Sequence, residues 1–341
     1  MKEISYMETQ MRIDWVDMAK GYGILFAILA HLGVGIADIW IYTFHMPLFF
    51  FLSGYVFSTK YEYRAFVKRK CKSLIVPYFS LGFIMILFQL AIDYREGITI
   101  YSFTILFLKL SVQIRYMTLW YIACLFWLNI VFYIIVRKCR HMNRIFLFVS
   151  GMFLTGLIYY HFGGIALPWN IDVILPASLF FFGGYWFQNN YERIRVYFTG
   201  KKSVICFLVF GIINVCFGAI GVIISGKGLE MYVSSYGFPP FTIMSAFAGI
   251  FCTIIFSHWF TIKFIRYIGQ NSLIYYAWHQ AIMIPLVRWG LKNTGITSDN
   301  IADNYVCLLV YRLFELLIII LILTLCHIII SNTRFKFMIG K

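Results

Sequence analysis

The chain has 341 residues, of which 61% are hydrophobic and 13% charged, and it carries a formal net charge of +15 with a mean hydropathy of +0.80. Soluble domains carry about 25% charged residues, so this composition excludes a soluble globular protein and indicates a polytopic membrane protein. Spans and short loops take up nearly the whole length, so residues 1–341 are expected to form one integral-membrane domain.

The first 18 residues are polar and offer no apolar core or small-residue cleavage site. The first span is therefore expected to act as an uncleaved signal-anchor. Hydropathy places spans near 21–37, 40–58, 74–92, 117–136, 145–162, 172–188, 203–225, 240–259, 272–290 and 305–330. The expected fold is all-α, a polytopic membrane helical bundle of about ten transmembrane helices. Segment 101–114 is too short and too interrupted to cross, and reads as interfacial or re-entrant. With a cytoplasmic N-terminus, most of the 29 Lys and Arg fall in inner segments. Arg95, Lys109, Arg115, Lys227, Arg288, Lys292 and Arg312 are the residues left in spans or on the other side. That alternation places both termini in the cytoplasm. It also accounts for the positive charge without nucleic-acid binding.

The first span opens with Asp14, Asp17 and Lys20 and carries His31 further along. Ionisable groups at membrane depth are costly and by default mark function. Lys20 and His31 are eleven residues apart, which puts them on one helix face about 16 Å apart along the axis. Asp17 lies one turn before Lys20 on nearly the same face. Such a stripe is expected to face a cavity, with His31 toward the outer leaflet. Asp17 and Lys20 read either as a functional pair at the inner mouth or as a snorkelling lysine with its counter-charge. His45 opens the second span from the outer side, so both imidazoles can reach the same depth. A neutral imidazole suits a general base acting on a hydroxyl. A histidine bonded between helices for packing is the alternative.

Further along, Arg64, Lys68, Arg69, Lys70 and Lys72 form a basic run just inside the membrane. This run can grip the phosphates of an anionic co-substrate, or anchor the loop and attract acidic lipid, which is the simpler reading. Trp169, between His161 and Asp172, is a candidate platform for an acceptor sugar. In the run YIGQNSLIYYAWHQ, Asn271 marks the inner end of the ninth span and His279 sits deeper, lining the cavity or packing. Arg312 and Glu315, one turn apart, read as a structural ion pair facing the bundle. The eight cysteines are scattered without a C-x-x-C pair, which speaks against a disulfide framework or zinc site. No metal is expected. The sequence holds no Walker A, G-x-G-x-x-G, H-E-x-x-H or G-x-S-x-G motif.

The runs DMAKGYGILFAILAH, FHMPLFFFLSGYVF, LWYIACLFW and YIGQNSLIYYAWH together resemble the acyltransferase 3 family of integral-membrane acyltransferases, and within it the fucose 4-O-acetylase-like branch. The resemblance covers essentially the whole chain. It implies O-acetyl transfer from cytoplasmic acetyl-CoA, as acyl donor, to a hydroxyl of a cell-surface or lipid-linked carbohydrate, within a bacterial inner (plasma) membrane. The family's first helix shows Asp-x-x-Arg followed eleven residues later by His. Asp17 and His31 match, and Lys20 stands in the arginine position, which keeps the charge and loses the planar fork. His45 stands in the Phe-His-Met-Pro segment, and Ser53 with Gly54 matches the Ser-Gly after the aromatic run. The implied roles are His31 as general base, His45 orienting it or stabilising the oxyanion, and Asp17 and Lys20 setting the inner entrance. The basic run would hold the nucleotide. Ser53, His279, Asn271 and Trp169 would meet the substrate. A transporter or flippase for a glycan or lipid-linked intermediate is the rival that uses the same polar stripe as a permeation path.

Overall fold

A computed structural model describes residues 13–93, 99–293 and 304–340. The polar segment 1–12 and Arg95 therefore lie outside the described residues. The described residues are 83% helical with almost no sheet. In chain order the main helices are α1 (Asp14–Leu32), α2 (Ile36–Tyr42), α3 (His45–Tyr55), α4 (Tyr63–Lys70), α5 (Val76–Ile92), α6 (Ile100–Val112), α7 (Trp120–Lys138) and α8 (Met142–His161). They continue with α9 (Ile171–Ile194), α10 (Lys202–Ser225), α11 (Pro239–Trp259), α12 (Lys263–Gln270), α13 (Ser272–Trp278), α14 (Ile284–Asn293) and α15 (Tyr305–Ser331).

Each of the ten expected spans falls on helix, but among the described residues six helices are long and apolar enough to cross a membrane. The others differ for identifiable reasons. Helix α1 is polar at its Asp14 end, and α9 finishes in the run Gln188–Arg193. The second span is broken at Thr43–Phe44 into α2 and α3. The ninth is interrupted by a π-turn at His279–Met283 between α13 and α14. Helix α6, at 13 residues, reaches about 20 Å, short of a hydrocarbon core of about 30 Å.

Two helix pairs approach backbone to backbone through reciprocal glycines. A Cβ on Gly54 of α3 would strike the Phe181 carbonyl of α9, and one on Gly184 of α9 would strike the Phe51 carbonyl of α3. Likewise Gly21 of α1 abuts the Ile265 carbonyl and Gly269 of α12 abuts the Asp17 carbonyl. Small residues permit this approach, which is how membrane helices gain packing when lipid is as apolar as their side chains. The aromatic core around Phe51, Phe57, Phe132, Phe181 and Phe187 fills the space behind α3.

Between α10 and α11 the chain forms a small antiparallel hairpin, β1 (Leu229–Glu230) paired with β2 (Ser235–Tyr236). No hydropathy pattern announces strands this short, and the hairpin covers the end of the bundle where α1 finishes.

Candidate active site

Three histidines from three parts of the chain meet around one cavity of about 380 Å³. His31 comes from the last turn of α1, His45 from the first turn of α3, and His279 from the π-turn after α13. Such π-turns widen a helix locally and frequently occur at functional sites. Tyr42, Trp120 and Glu230 complete the wall that faces them. The His31 and His279 rings stand edge to face with centroids 5.0 Å apart. The Tyr42 ring lies 6.0 Å from His31 and 5.1 Å from His45.

All three imidazoles are held in the same way. His31 Nδ1 lies 2.7 Å from the Ala27 carbonyl oxygen, and His45 Nδ1 lies 3.1 Å from that of Ile41. His279 Nδ1 lies 3.0 Å and 2.8 Å from the carbonyl oxygens of Tyr275 and Tyr276. A carbonyl only accepts, so this geometry assigns the hydrogen to Nδ1 and leaves the Nε2 lone pair of each neutral ring as an acceptor. His279 Nε2 is buried and has no hydrogen-bond partner among the described residues. The arrangement therefore concentrates proton acceptors in one cavity. Among the described residues no group of three His, Cys, Asp or Glu side chains is placed to hold a metal ion.

The hairpin supplies Leu229, Glu230, Met231 and Tyr232 to the cavity, and Arg115 ties it in place. Arg115 binds the wholly buried Asp172 carboxylate at 2.5 Å. It also donates to Asn170 Oδ1 at 2.9 Å, to Tyr160 at 3.2 Å, and to the Ser234 hydroxyl. In return the Tyr232 hydroxyl donates to the Arg115 carbonyl at 2.5 Å. Tyr160 adds a second donor to Asp172. The non-glycine residues with positive φ among the described residues are Gln113, Arg115, Met117, Trp169, Asn170 and Ser234. All six belong to the three segments that Arg115 knits together. Strained backbone persists only where its surroundings over-determine it, and it clusters at functional sites.

Asp17 and Lys20 sit at the other end of α1, with Asp17 about 21 Å along the axis from His31. Asp17 is buried, and its Oδ2 lacks a hydrogen-bond partner among the described residues. Lys20 is near enough to Lys70 for the two charges to repel. This brings the basic run to the same end as the first half of the stripe. Within that run Arg69 stacks on Tyr61 at 4.2 Å and Lys70 lies over the Phe66 ring at 5.4 Å. Arg64 and Lys68 lie on α4, and Lys72 on the π-turn Cys71–Ile75.

Three expected substrate residues lie elsewhere than the histidine cavity. Ser53 bonds the Tyr121 hydroxyl at 3.2 Å. Asn271 donates back to the Tyr267 carbonyl at 2.8 Å, at the end of α12. Trp169, half-buried in the turn before α9, packs against Tyr78 with ring centroids 5.4 Å apart. Sequence reasoning passed over Tyr42, Glu230 and Arg115 as site residues. Of these, only Arg115 carried a signal, as one of the few basic residues that the charge alternation left outside the expected inner segments.

No curated protein and no solved structure shows a significant match to the chain. A family model described as an acyltransferase domain, Acyl_transf_3, matches residues 13–331. That span begins at α1 and ends with α15, so it contains all three cavity histidines and both ends of the polar stripe. A helical bundle with apolar membrane-length helices is consistent with that match, and the chain belongs to the Acyl_transf_3 family of membrane acyltransferases.

Proposed function

We propose that the protein is an O-acetyltransferase of the fucose 4-O-acetylase-like branch, moving acetyl from cytoplasmic acetyl-CoA to a hydroxyl of a cell-surface or lipid-linked carbohydrate. The observation that carries this reading is the set of three Nδ1-anchored imidazoles around one cavity. In this reading the chain crosses a bacterial inner membrane ten times with both termini in the cytoplasm. The Lys20 and Lys70 end then faces the cytoplasm, and the hairpin faces outward.

The CoA nucleotide docks at the basic end, where Lys20, Lys70 and their neighbours offer cations to its phosphates, and the pantetheine arm runs along α1. His31 Nε2 takes the proton of the acceptor hydroxyl as the oxygen attacks the thioester carbonyl. The tetrahedral intermediate collapses by breaking the carbon–sulfur bond, and the imidazolium of His31 returns the proton to the departing thiolate. The products are the acetyl ester and free CoA thiol.

The expected role of His45 as oxyanion stabiliser changes for a physical reason. A neutral His45 that donates Nδ1–H to Ile41 presents only a lone pair to the cavity, and a lone pair repels an oxyanion. Donors must come from elsewhere in the wall. Tyr276 already donates to the Thr118 carbonyl, Thr118 to the Ala277 carbonyl, and Tyr232 to the Arg115 carbonyl. Of the tyrosine and threonine hydroxyls in the wall, that of Tyr42 has no hydrogen-bond partner among the described residues, and its ring is the one that packs beside both His31 and His45. Tyr42 is therefore assigned the oxyanion, while Trp120 and Glu230 receive the acceptor. An aromatic face with a carboxylate suits a polyhydroxylated ring.

Purified protein given labelled acetyl-CoA and an acceptor glycan tests the proposal. Label should move to the glycan with release of CoA. His31→Ala should abolish the transfer at normal membrane abundance. Undiminished transfer by that variant would remove His31 from the mechanism, and absence of transfer with any surface glycan would remove the acetyl reading.

A further inference from the structure

Helix α1 ends one residue beyond His31, and its last turn is gripped by charges from two other helices. The chain leaves the helix through Gly33, whose φ of 82° releases it from helical geometry. Arg288 of α14 donates to the Leu32 carbonyl at 2.8 Å, and Arg312 of α15 donates to the Gly33 carbonyl at 3.2 Å. Behind them stands Glu315, whose side chain is wholly buried. It takes Arg312 at 2.6 Å and Arg288 at 3.3 Å. On the near side, Asp38 accepts from the Val34 and Gly35 backbone N–H groups, both at 3.0 Å. The Tyr305 hydroxyl donates to the Val34 carbonyl at 3.3 Å.

We propose that Arg288, Glu315 and Arg312 form a positioning clamp that sets the placement of His31 against His279, acting through the backbone of α1 without touching substrate. This inference rests on the acyltransferase reading above and extends it to how the base is aimed.

Four physical points support it. A helix C-terminus leaves carbonyls unsatisfied and carries partial negative charge. Side-chain donors can meet those carbonyls, and here two guanidiniums do. Two guanidiniums and one carboxylate leave one net positive charge at that place, the sign a helix C-terminus favours. Next, each arginine bonds a carboxylate and a carbonyl at once, which uses the forked donor set that lysine lacks.

The third point concerns what moves together. The His31 ring is tied to its own helix through the Ala27 carbonyl, so any tilt of the last turn carries Nε2 with it. Arg288 in turn belongs to the helix that follows the His279 π-turn. The clamp therefore joins the segment bearing one base to the segment bearing the other. Finally, the Glu315 carboxylate is wholly buried and Arg312 nearly so, with Arg288 reaching in from the half-exposed rim. Buried ionic groups are poor stabilisers beside well-packed apolar side chains of similar volume, and their best-attested use is to fix register.

The test uses Arg288→Gln, Arg312→Gln and Arg312→Lys in the full-length protein, each checked for its melting temperature in detergent. Arg288→Gln is the gentler change, because the Arg312–Glu315 pair survives it. Expected is a kcat lowered by about 10- to 100-fold, the order a misplacement of about 1 Å can produce, with KM for both substrates within about twofold of the parent. Arg312→Lys should fall between parent and glutamine. A second readout needs no turnover: the rate at which diethyl pyrocarbonate modifies His31, followed by mass spectrometry with the exposed His161 as internal control. Release of the last turn should raise the His31 rate severalfold and leave His161 unchanged. If the parent protein transfers no acetyl, the acetyltransferase reading fails and the modification rate alone decides the clamp. Folded glutamine variants with parental kcat and parental His31 modification would overturn the clamp. So would a loss of activity that only tracks the loss of folded protein.

Discussion

Replacing Tyr42 by phenylalanine removes one oxygen from the cavity and little else. The ring keeps its edge contacts with His31 at 6.0 Å and with His45 at 5.1 Å. Among the described residues the hydroxyl donates to no protein group, so no buried partner is orphaned by its loss. Stability should then change by no more than about 0.5 kcal/mol, as for substitutions that break no named interaction. Catalysis should respond quite differently. Loss of one oxyanion donor costs about 2.7–4 kcal/mol of transition-state stabilisation, roughly 10²- to 10³-fold in kcat. Because the charge develops only after attack, the loss should appear in kcat and kcat/KM alike, with KM for acetyl-CoA and acceptor little changed. Steady-state transfer of labelled acetyl, with melting temperatures measured on the same preparations, separates the two effects. A Tyr42→Phe protein with kcat within threefold of the parent would refute the assignment of the oxyanion to Tyr42. A rise confined to the acceptor KM would instead make Tyr42 a substrate-binding group.

Three other expectations follow from the packing and charge of the molecule. Gly184→Ala places a methyl against the Phe51 carbonyl, where backbone cannot yield. It should cost about 3 kcal/mol or more, and the melting temperature in detergent should fall with little folded protein recovered. Arg115→Ala leaves the wholly buried Asp172 without its cation, an uncompensated charge worth about 3–5 kcal/mol. The same change unties the hairpin, so protease cleavage between residues 226 and 238 should accelerate. Lys70→Ala combined with Lys20→Ala should raise the KM for acetyl-CoA about tenfold or more while sparing the acceptor KM. The salt dependence of that KM should also flatten, because two screened phosphate contacts are gone.

The long apolar helices were legible in the sequence because hydropathy over about 20 residues is a local property. That Asp17, Lys20 and His31 share one helix was legible for a similar reason; of the three, His31 alone lines the histidine cavity. Arg312 and Glu315 were readable as an i, i+3 pair, and the structure places them so at 2.6 Å. Their third partner was not readable, because Arg288 reaches Glu315 from another helix and nothing local marks it. The meeting of His279 with His31 likewise depends on a π-turn, which shifts the side-chain phase that an ideal helix would give. The contact of Trp169 with Tyr78 was not readable either, because the two rings come from segments about 90 residues apart and meet only in the fold. The hairpin was invisible because two-residue strands carry no alternation to detect. Its place over the cavity is set by Arg115, whose partners Asn170, Asp172 and Ser234 are more than 50 residues away in sequence.

The shared anchoring of the three imidazoles also constrains which sequences can work. Each ring places its δ nitrogen against a carbonyl about one turn back, which leaves its ε nitrogen as a potential acceptor. Asparagine can reproduce the first of these positions and glutamine the second, but only imidazole spans both. A library sampling all residues at 31, 45 and 279, sorted for acetyl transfer, would accordingly find these positions intolerant in a way that neither size nor polarity explains. The neighbouring apolar wall, by contrast, should exchange freely among residues of similar volume.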